Sequence, residues 1–256
     1  MENLRIALLE YDIVWENPEA NFELITSLIK GKEADIFILP EMFSTGFTMN
    51  PQKNAEPIFG KSFQFLQKLS LEKNAVFCAS VPTKVNGHYF NRLYWTEPNE
   101  TFVIYDKRHL FTLVGEEKHY TTGKERKVVD YKGWRIMPQI CYDLRFPVWS
   151  RNDLDYDVIF YIANWPERRK HAWLSLLQAR AIENMSYCIG VNRIGNDDHN
   201  IYHSGDSNVY DALGQKCENL SGEKEVLIFE LSKRKLELTR RQFKFLKDQD
   251  KFDIKV

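Results

Sequence analysis

Three reactive side chains, Glu41, Lys107 and Cys141, each directly follow a short run rich in apolar residues. Runs of this kind, bounded by polar residues, are typical of buried β-strands. In layered α/β folds, catalytic groups gather where strands end and loops begin. The sequence therefore predicts that a carboxylate, an ammonium group and a thiol meet at one edge of a sheet.

These three groups are suited to the cleavage of an amide bond. Cleavage needs a thiolate or its equivalent, a proton for the departing nitrogen, and positive charge for the oxyanion. Cys141 is the candidate nucleophile, and Glu41 is the candidate base that takes the thiol proton and passes it to the leaving amine. Lys107 would favour the thiolate and bind the oxyanion, helped by the backbone N–H of Tyr142. A proton shared between Glu41 and Cys141 makes the trio neutral, which a buried site tolerates best.

Each of these residues also has a purely structural interpretation. A lone buried cysteine usually acts as a small apolar residue, and we expect this of Cys78 and Cys188. Glu41 would then simply begin a loop, and Lys107 would be solvated. The joint spacing of the three residues favours catalysis.

The elements that must position these residues are short strands that alternate with amphipathic helices. Apolar residues at helical spacing predict helices at 21–29, 62–73 and 171–184, and Asn86-Gly87 predicts a hairpin. The order of elements predicts an α/β fold, a layered sandwich with mixed strand directions. The strand-like runs are residues 5–9, 35–39, 75–81, 89–95, 102–105, 135–140, 158–162, 187–192, 207–210 and 226–230.

The composition is that of an ordinary globular protein. Among 256 residues, 43% are hydrophobic and 28% are charged. We expect one domain over residues 1–256, with a C-terminal arm at about 233–256 that packs on another surface such as a second subunit. The formal net charge of -1 gives no global attraction to nucleic acid or to an anionic membrane. No apolar run approaches the ~18 residues of a membrane span, and cysteines without CxxC spacing favour free thiols in the cytoplasm.

Other kinds of site fit the sequence less well. A zinc site would need clustered His and Cys, and His199 and His203 stand in a stretch that resembles a loop entering a strand. A papain-type pair with His109 or His171 as the base lacks the flanking sequence of that family around Cys141. The C-terminal arm contains several basic residues, but acidic residues among them reduce its positive charge, so we expect no nucleic-acid partner. The basic residues are Lys233, Arg234, Lys235, Arg240 and Arg241, and the acidic ones are Glu237, Asp248, Asp250 and Asp253. We also expect no metal and no cofactor.

The segments around the three reactive residues resemble the signature segments of the nitrilase superfamily, carbon–nitrogen hydrolases that use a Glu-Lys-Cys set. Further segments resemble its omega-amidase branch. The resemblance runs in order from about Leu4 to Leu231, and three ordered motifs are a stronger signal than one. The signature segments are 39–47 (LPEMFSTGF), 105–111 (YDKRHLF) and 140–147 (ICYDLRFP), and the further segments are 163–166 (ANWP), 179–184 (ARAIEN) and 190–195 (GVNRIG).

The resemblance implies a four-layer αββα sandwich with mixed sheets, which stacks on a second copy to form a homodimer. It implies hydrolysis through a thioester on Cys141, with ammonia leaving first and Glu41 then activating water. A second glutamate is expected in the loop after the lysine. Counting back from Gly123 favours Glu116, with Glu117 as the alternative. The substrate implied is a short 2-oxo acid with a terminal amide, such as 2-oxoglutaramate or 2-oxosuccinamate.

The carboxylate of such a substrate calls for an arginine, whose planar fork matches two oxygens. Arg145 is the first candidate, with Arg168 and Arg169 as alternatives, and Phe47 and Trp165 are candidate pocket walls. The catalytic trio alone leaves open a nitrilase, an N-carbamoyl hydrolase or another aliphatic amidase, because all need the same attack. A dimeric binding scaffold without catalysis is the remaining alternative.

Overall fold

The computed structural model describes residues 3–256, which form two facing β-sheets with helices on both outer sides. The strands are β1 (Leu4–Leu9), β2 (Ile36–Ile38), β3 (Val76–Val85), β4 (His88–Thr96), β5 (Phe102–Asp106), β6 (Val129–Tyr131), β7 (Trp134–Ile140), β8 (Val158–Ala163), β9 (Tyr187–Asn192), β10 (Ile194–Asn196), β11 (Tyr202–Ser204), β12 (Asn208–Tyr210) and β13 (Val226–Leu231). The helices are α1 (Pro18–Leu28), α2 (Pro51–Asn54), α3 (Lys61–Lys73), α4 (Lys170–Asn184) and α5 (Lys233–Phe243).

Sheet one has the strand order β13-β1-β2-β3-β4-β5, and sheet two has the order β12-β9-β8-β7-β6. Strands β10 and β11 form a separate two-stranded ribbon. In sheet one, β2 is parallel to β1 and β3, whereas β4 is antiparallel to both β3 and β5. Strands β2 and β5 therefore point the same way. In sheet two, β7, β8 and β9 are parallel to one another.

Strand β1 shows how sequence alternation builds the layers. Its residues Leu4, Ile6 and Leu8 pack into the core between the two sheets. Ala7 and Leu9 face the opposite side, where they pack with the buried residues of α1 and α3. Helix α4 covers the outer face of sheet two. The layers thus follow the order αββα, and the predicted fold class is confirmed.

Two glycines are required by the positions of these elements. Gly190 in β9 lets α4 approach closely, because a Cβ there would lie 2.3 Å from Leu177 Cδ1 and 2.6 Å from Trp173 Cζ2. Asn86 and Gly87 connect β3 to β4 with φ values of 48° and 83°. Positive φ at both central residues is the requirement of a two-residue type I′ hairpin turn. The hairpin prediction is therefore confirmed.

Most predicted elements occur within one or two residues of their expected bounds, and β3 extends four residues further, to Val85. The sequence did not predict β6, the β10–β11 ribbon, the short α2 or the helix α5. Helix α5 lies in the expected arm, and this part packs on its own chain. Leu236 is buried, and the Arg240 guanidinium donates hydrogen bonds to the carbonyls of Met185 and Tyr156 at 2.7 and 2.6 Å. Within residues 3–256, no helix is long and apolar enough to cross a membrane.

Candidate active site

Glu41 follows β2, and its side chain is fully buried. Oε1 accepts hydrogen bonds from Lys107 Nζ and from Asn91 Nδ2, both at 2.8 Å. Oε2 accepts the backbone N–H of Asn164 at 3.0 Å, and the Asn164 amide donates in turn to the Glu41 carbonyl at 2.6 Å. Donors on both oxygens hold the carboxylate in one orientation.

Lys107 follows β5 and lies between two buried carboxylates. Its Nζ is 2.8 Å from Glu41 Oε1 and 3.0 and 2.9 Å from the two oxygens of Glu116. Burial alone would lower the pKa of Lys107, but Glu116 and Glu41 raise this pKa well above its usual range. The ammonium group therefore stays charged.

Glu116 is fully buried in the loop after β5, whereas the adjacent Glu117 is exposed. Of the two candidates for a second glutamate, Glu116 is the one that reaches Lys107. Burial raises the pKa of Glu116 above its usual range, Lys107 opposes this effect, and Glu41 adds to it. Two carboxylates thus share one ammonium group in a site closed to solvent.

Cys141 is the first residue after β7 and has a φ of 43°. Positive φ is uncommon for a residue with a side chain and marks a turn held by its surroundings. The residue is only 9% exposed, and burial raises the pKa of its thiol well above the usual value. Glu41 raises this pKa further, while Lys107 and the backbone N–H of Asn164 lower it. A raised pKa favours the neutral thiol, which needs a base before it can attack.

A cavity of about 160 Å³ opens onto Cys141. Its walls include Phe47, Tyr142, Arg145 and Trp165, so the structure brings together all four residues predicted to bind substrate. The size suits a small molecule rather than a polymer. The complete lining is Phe47, Met49, Phe111, Val114, Cys141, Tyr142, Arg145, Asn164, Trp165, Pro166, Arg168, Arg169, Asp197, His199, Ile201 and His203.

A buried aspartate, Asp143, connects the segment of Cys141 to the segment of Lys107. Its Oδ1 accepts the backbone N–H of His109 at 2.9 Å and lies 2.8 Å from His109 Nδ1. Its Oδ2 accepts the backbone N–H of Ile140 at 3.1 Å and a tyrosine hydroxyl of β5 at 2.7 Å. Because these partners flank the thiol and the lysine, Asp143 fixes the distance between the two loops. The His109 ring contacts this aspartate and stacks on the ring of Phe146, and it lies outside the lining of the cavity that contains Cys141.

Three polar residues of the site were not assigned a role from the sequence: Asn91, Asp143 and Asn164. Asn91 interrupts the aromatic and apolar residues of β4, and an asparagine inside a strand is itself a signal, since asparagine is depleted there. Asp143 and Asn164 lie within the segments 140–147 and 163–166 that carry the family resemblance. Sequence position pointed to these segments, but not to which backbone groups the side chains bind.

Comparison with known proteins agrees with this fold. The family model of carbon–nitrogen hydrolases matches residues 5–241. The omega-amidase YafV of Yersinia enterocolitica is 44% identical over 254 residues, which cover 98% of this chain and 99% of that protein. The 2-oxoglutaramate amidase of Bacillus subtilis (strain 168) is 31% identical over 217 residues, covering 82% of this chain and 83% of that protein. A CN-hydrolase superfamily protein of Xanthomonas campestris, whose crystal structure has an arsenic adduct in the active site, is 37% identical with a TM-score of 0.95 over 100% of both chains.

The chain belongs to the carbon–nitrogen hydrolase family. Within that family, its similarity to the omega-amidases confirms the predicted branch and the prediction of an amidohydrolase.

Proposed function

We propose that this protein removes the terminal amide of small 2-oxo acid amides such as 2-oxoglutaramate and 2-oxosuccinamate, and releases a 2-oxo acid and ammonia. The observation that carries the proposal is the convergence of Glu41, Lys107 and Glu116 in one buried cluster beside the cavity that contains Cys141. The similarity to an omega-amidase and to a 2-oxoglutaramate amidase supports the substrate class.

In the first half of the proposed reaction, Glu41 takes the proton of the Cys141 thiol while the sulfur attacks the amide carbon. The carbonyl oxygen becomes an oxyanion, which Lys107 Nζ and the backbone N–H of Tyr142 stabilise. Glu41 then gives its proton to the nitrogen, the C–N bond breaks, and ammonia leaves behind a thioester on Cys141. A permanently charged Lys107 suits this role, because it stabilises negative charge without exchanging a proton.

In the second half, Glu41 takes a proton from water, and the oxygen attacks the thioester carbon. The C–S bond breaks as the intermediate collapses, and the proton on Glu41 returns to the sulfur. The 2-oxo acid leaves with a new carboxyl group. Glu116 acts as a positioning residue, because it holds the ammonium of Lys107 next to the reacting atoms.

In the proposed substrate complex, the carboxylate faces the guanidinium of Arg145, and Phe47 and Trp165 enclose the carbon chain. Arg145 lies with its guanidinium 4.9 Å from the centre of the Trp165 ring, a contact that orients the charged group over the cavity.

The proposal includes a single domain over residues 1–256, with the arm at about 233–256.

We also propose that the protein is a homodimer in the cytoplasm. The exposed side chains of Leu238 and Phe245, at 53% and 57% exposure, provide apolar surface on the arm for a second copy. Cys78, Cys141, Cys188 and Cys217 are all free thiols, a state that a reducing compartment maintains.

The test is ammonia release from 2-oxoglutaramate by Cys141→Ala, with Cys217→Ala as the control that removes a thiol outside the cavity. We expect the first variant to lose all activity at an unchanged urea midpoint, and the second to keep the activity of the wild type. Activity in Cys141→Ala would contradict the proposal. A panel of nitriles and N-carbamoyl compounds assayed with the wild type separates the amidase from the related activities, since only pocket shape and leaving group differ.

A further inference from the structure

Two arginines at the cavity mouth, Arg145 and Arg169, present their charged groups in the same way. The Arg145 guanidinium lies over the Trp165 ring at 4.9 Å, and the Arg169 guanidinium lies over the Phe111 ring at 5.1 Å. An aromatic ring occupies one face of each guanidinium, so the N–H groups at the edges remain available to a ligand.

Apart from these aromatic rings, neither guanidinium has a side-chain partner in the described part of the chain. Between residues 3 and 256, no ion pair and no side-chain hydrogen bond is formed by Arg145 or Arg169. The acidic residue of the cavity lining, Asp197, uses its Oδ1 to accept the backbone N–H groups of His199 and Ile201. The cavity lining thus carries three arginines against one carboxylate, and in the described part of the chain Asp197 forms no ion pair with Arg145 or Arg169.

Arg169 is the more confined of the alternatives to Arg145. Its side chain is half-buried, and burial, together with the charges of Arg168 and Arg145, lowers its pKa. It lines the same cavity as Cys141. Arg168 is exposed, and we assign it no contact with substrate. Holding a half-buried cation beside like charges costs free energy unless an anion binds next to it, so this arrangement favours an anionic ligand.

We propose that Arg169 is a specificity-determining residue that, together with Arg145, receives the carboxylate and the adjacent 2-oxo oxygen of the substrate. This inference rests on the proposed function and names the substrate group that the second arginine binds. A 2-oxo acid presents three acceptor oxygens and no donor at this end, which matches two guanidinium edges. An α-amino acid amide such as glutamine carries an ammonium group in place of the oxo oxygen, and this group would face two cations.

The test compares Arg169→Gln and Arg169→Lys with Arg234→Gln, a control that removes the same charge from an exposed position outside the cavity lining. Ammonia release is measured with 2-oxoglutaramate and with glutaramate, which has the same carboxylate but no oxo group, and kcat and KM are determined separately. We expect Arg169→Gln to lower kcat/KM for 2-oxoglutaramate by about 30-fold, chiefly through KM, as for a lost hydrogen bond between charged groups. Arg169→Lys keeps the positive charge but lacks the planar guanidinium, so its kcat/KM should lie between those of the wild type and Arg169→Gln.

The preference for 2-oxoglutaramate over glutaramate should also fall in Arg169→Gln, which a merely structural residue would not cause. A loss no larger than that of Arg234→Gln would overturn the inference, as would glutamine turnover by the wild type at the rate of 2-oxoglutaramate. These results differ from a failure of the proposed function, in which the wild type itself releases no ammonia from any 2-oxo acid amide.

Discussion

Replacement of Glu116 by glutamine isolates the contribution of the second buried carboxylate. Both oxygens of Glu116 accept from Lys107, while Oε2 also accepts the backbone N–H of Phe111 and Oε1 lies 3.4 Å from Asn91 Nδ2. In either orientation, the new amide directs its NH₂ group at donors. At least one hydrogen bond to a charged group is lost, and a buried donor is left unpaired. Together these effects cost about 3 kcal/mol.

If the loss displaces the Lys107 ammonium and raises the activation free energy by this amount, kcat falls by about 10²-fold. Removal of the Glu116 charge also lowers the pKa of Lys107, because the burial that opposes its charge remains. The activity of Glu116→Gln should therefore decline at a lower alkaline pH than the activity of the wild type.

The assay is ammonia release from 2-oxoglutaramate between pH 7 and pH 10, and urea unfolding reports whether the variant is folded. The matched control is Glu117→Gln, which removes the same charge from the exposed neighbour and should change kcat by no more than about twofold. A folded Glu116→Gln variant with the kcat and pH profile of Glu117→Gln would refute this account of the site.

Two further predictions concern stability. Each oxygen of Asp143 accepts two donors, so Asp143→Asn leaves buried donors unpaired and should reduce the free energy of unfolding in urea by about 3–5 kcal/mol. The exposed Asp130→Asn should cost less than about 1 kcal/mol, and equal losses would contradict the role given to Asp143. For Glu10, burial raises the pKa to about 7, so its protonated form is favoured in the folded state and stability is lost as the pH rises from 5 to 8. The Glu10→Gln variant, which resembles the protonated form, should gain up to about 3 kcal/mol over the wild type across that range in urea titrations, and a constant difference between the two would count against this.

The sequence predicted the positions of the reactive residues because each follows an apolar run, and such runs fold as buried strands. The parallel directions of β2 and β5 then bring the ends of the two strands to the same edge. The bounds of these strands were predictable for the same reason, since their alternating or continuous apolar residues must be buried.

The remaining features depend on contacts between distant segments. Glu116 and Glu117 are the same residue type in adjacent positions, and only the packed loop decides which of them points to Lys107. The β10–β11 ribbon carries polar residues without alternation and gave no strand signal. Helix α5 has few apolar side chains, so its packing through Leu236 could not be inferred from periodicity.

The proposed catalytic groups come from opposite layers of the sandwich. Glu41, Lys107 and Glu116 are supplied by loops of sheet one, whereas Cys141 and Asn164 are supplied by loops of sheet two. Neither half of the polypeptide holds both the Glu41–Lys107–Glu116 cluster and the Cys141 sulfur. A small shift of one layer relative to the other would therefore abolish activity, although the hydrogen bonds between the strands of each sheet would be unchanged. Enzymatic activity therefore reports the relative position of the two sheets more sensitively than the secondary structure does.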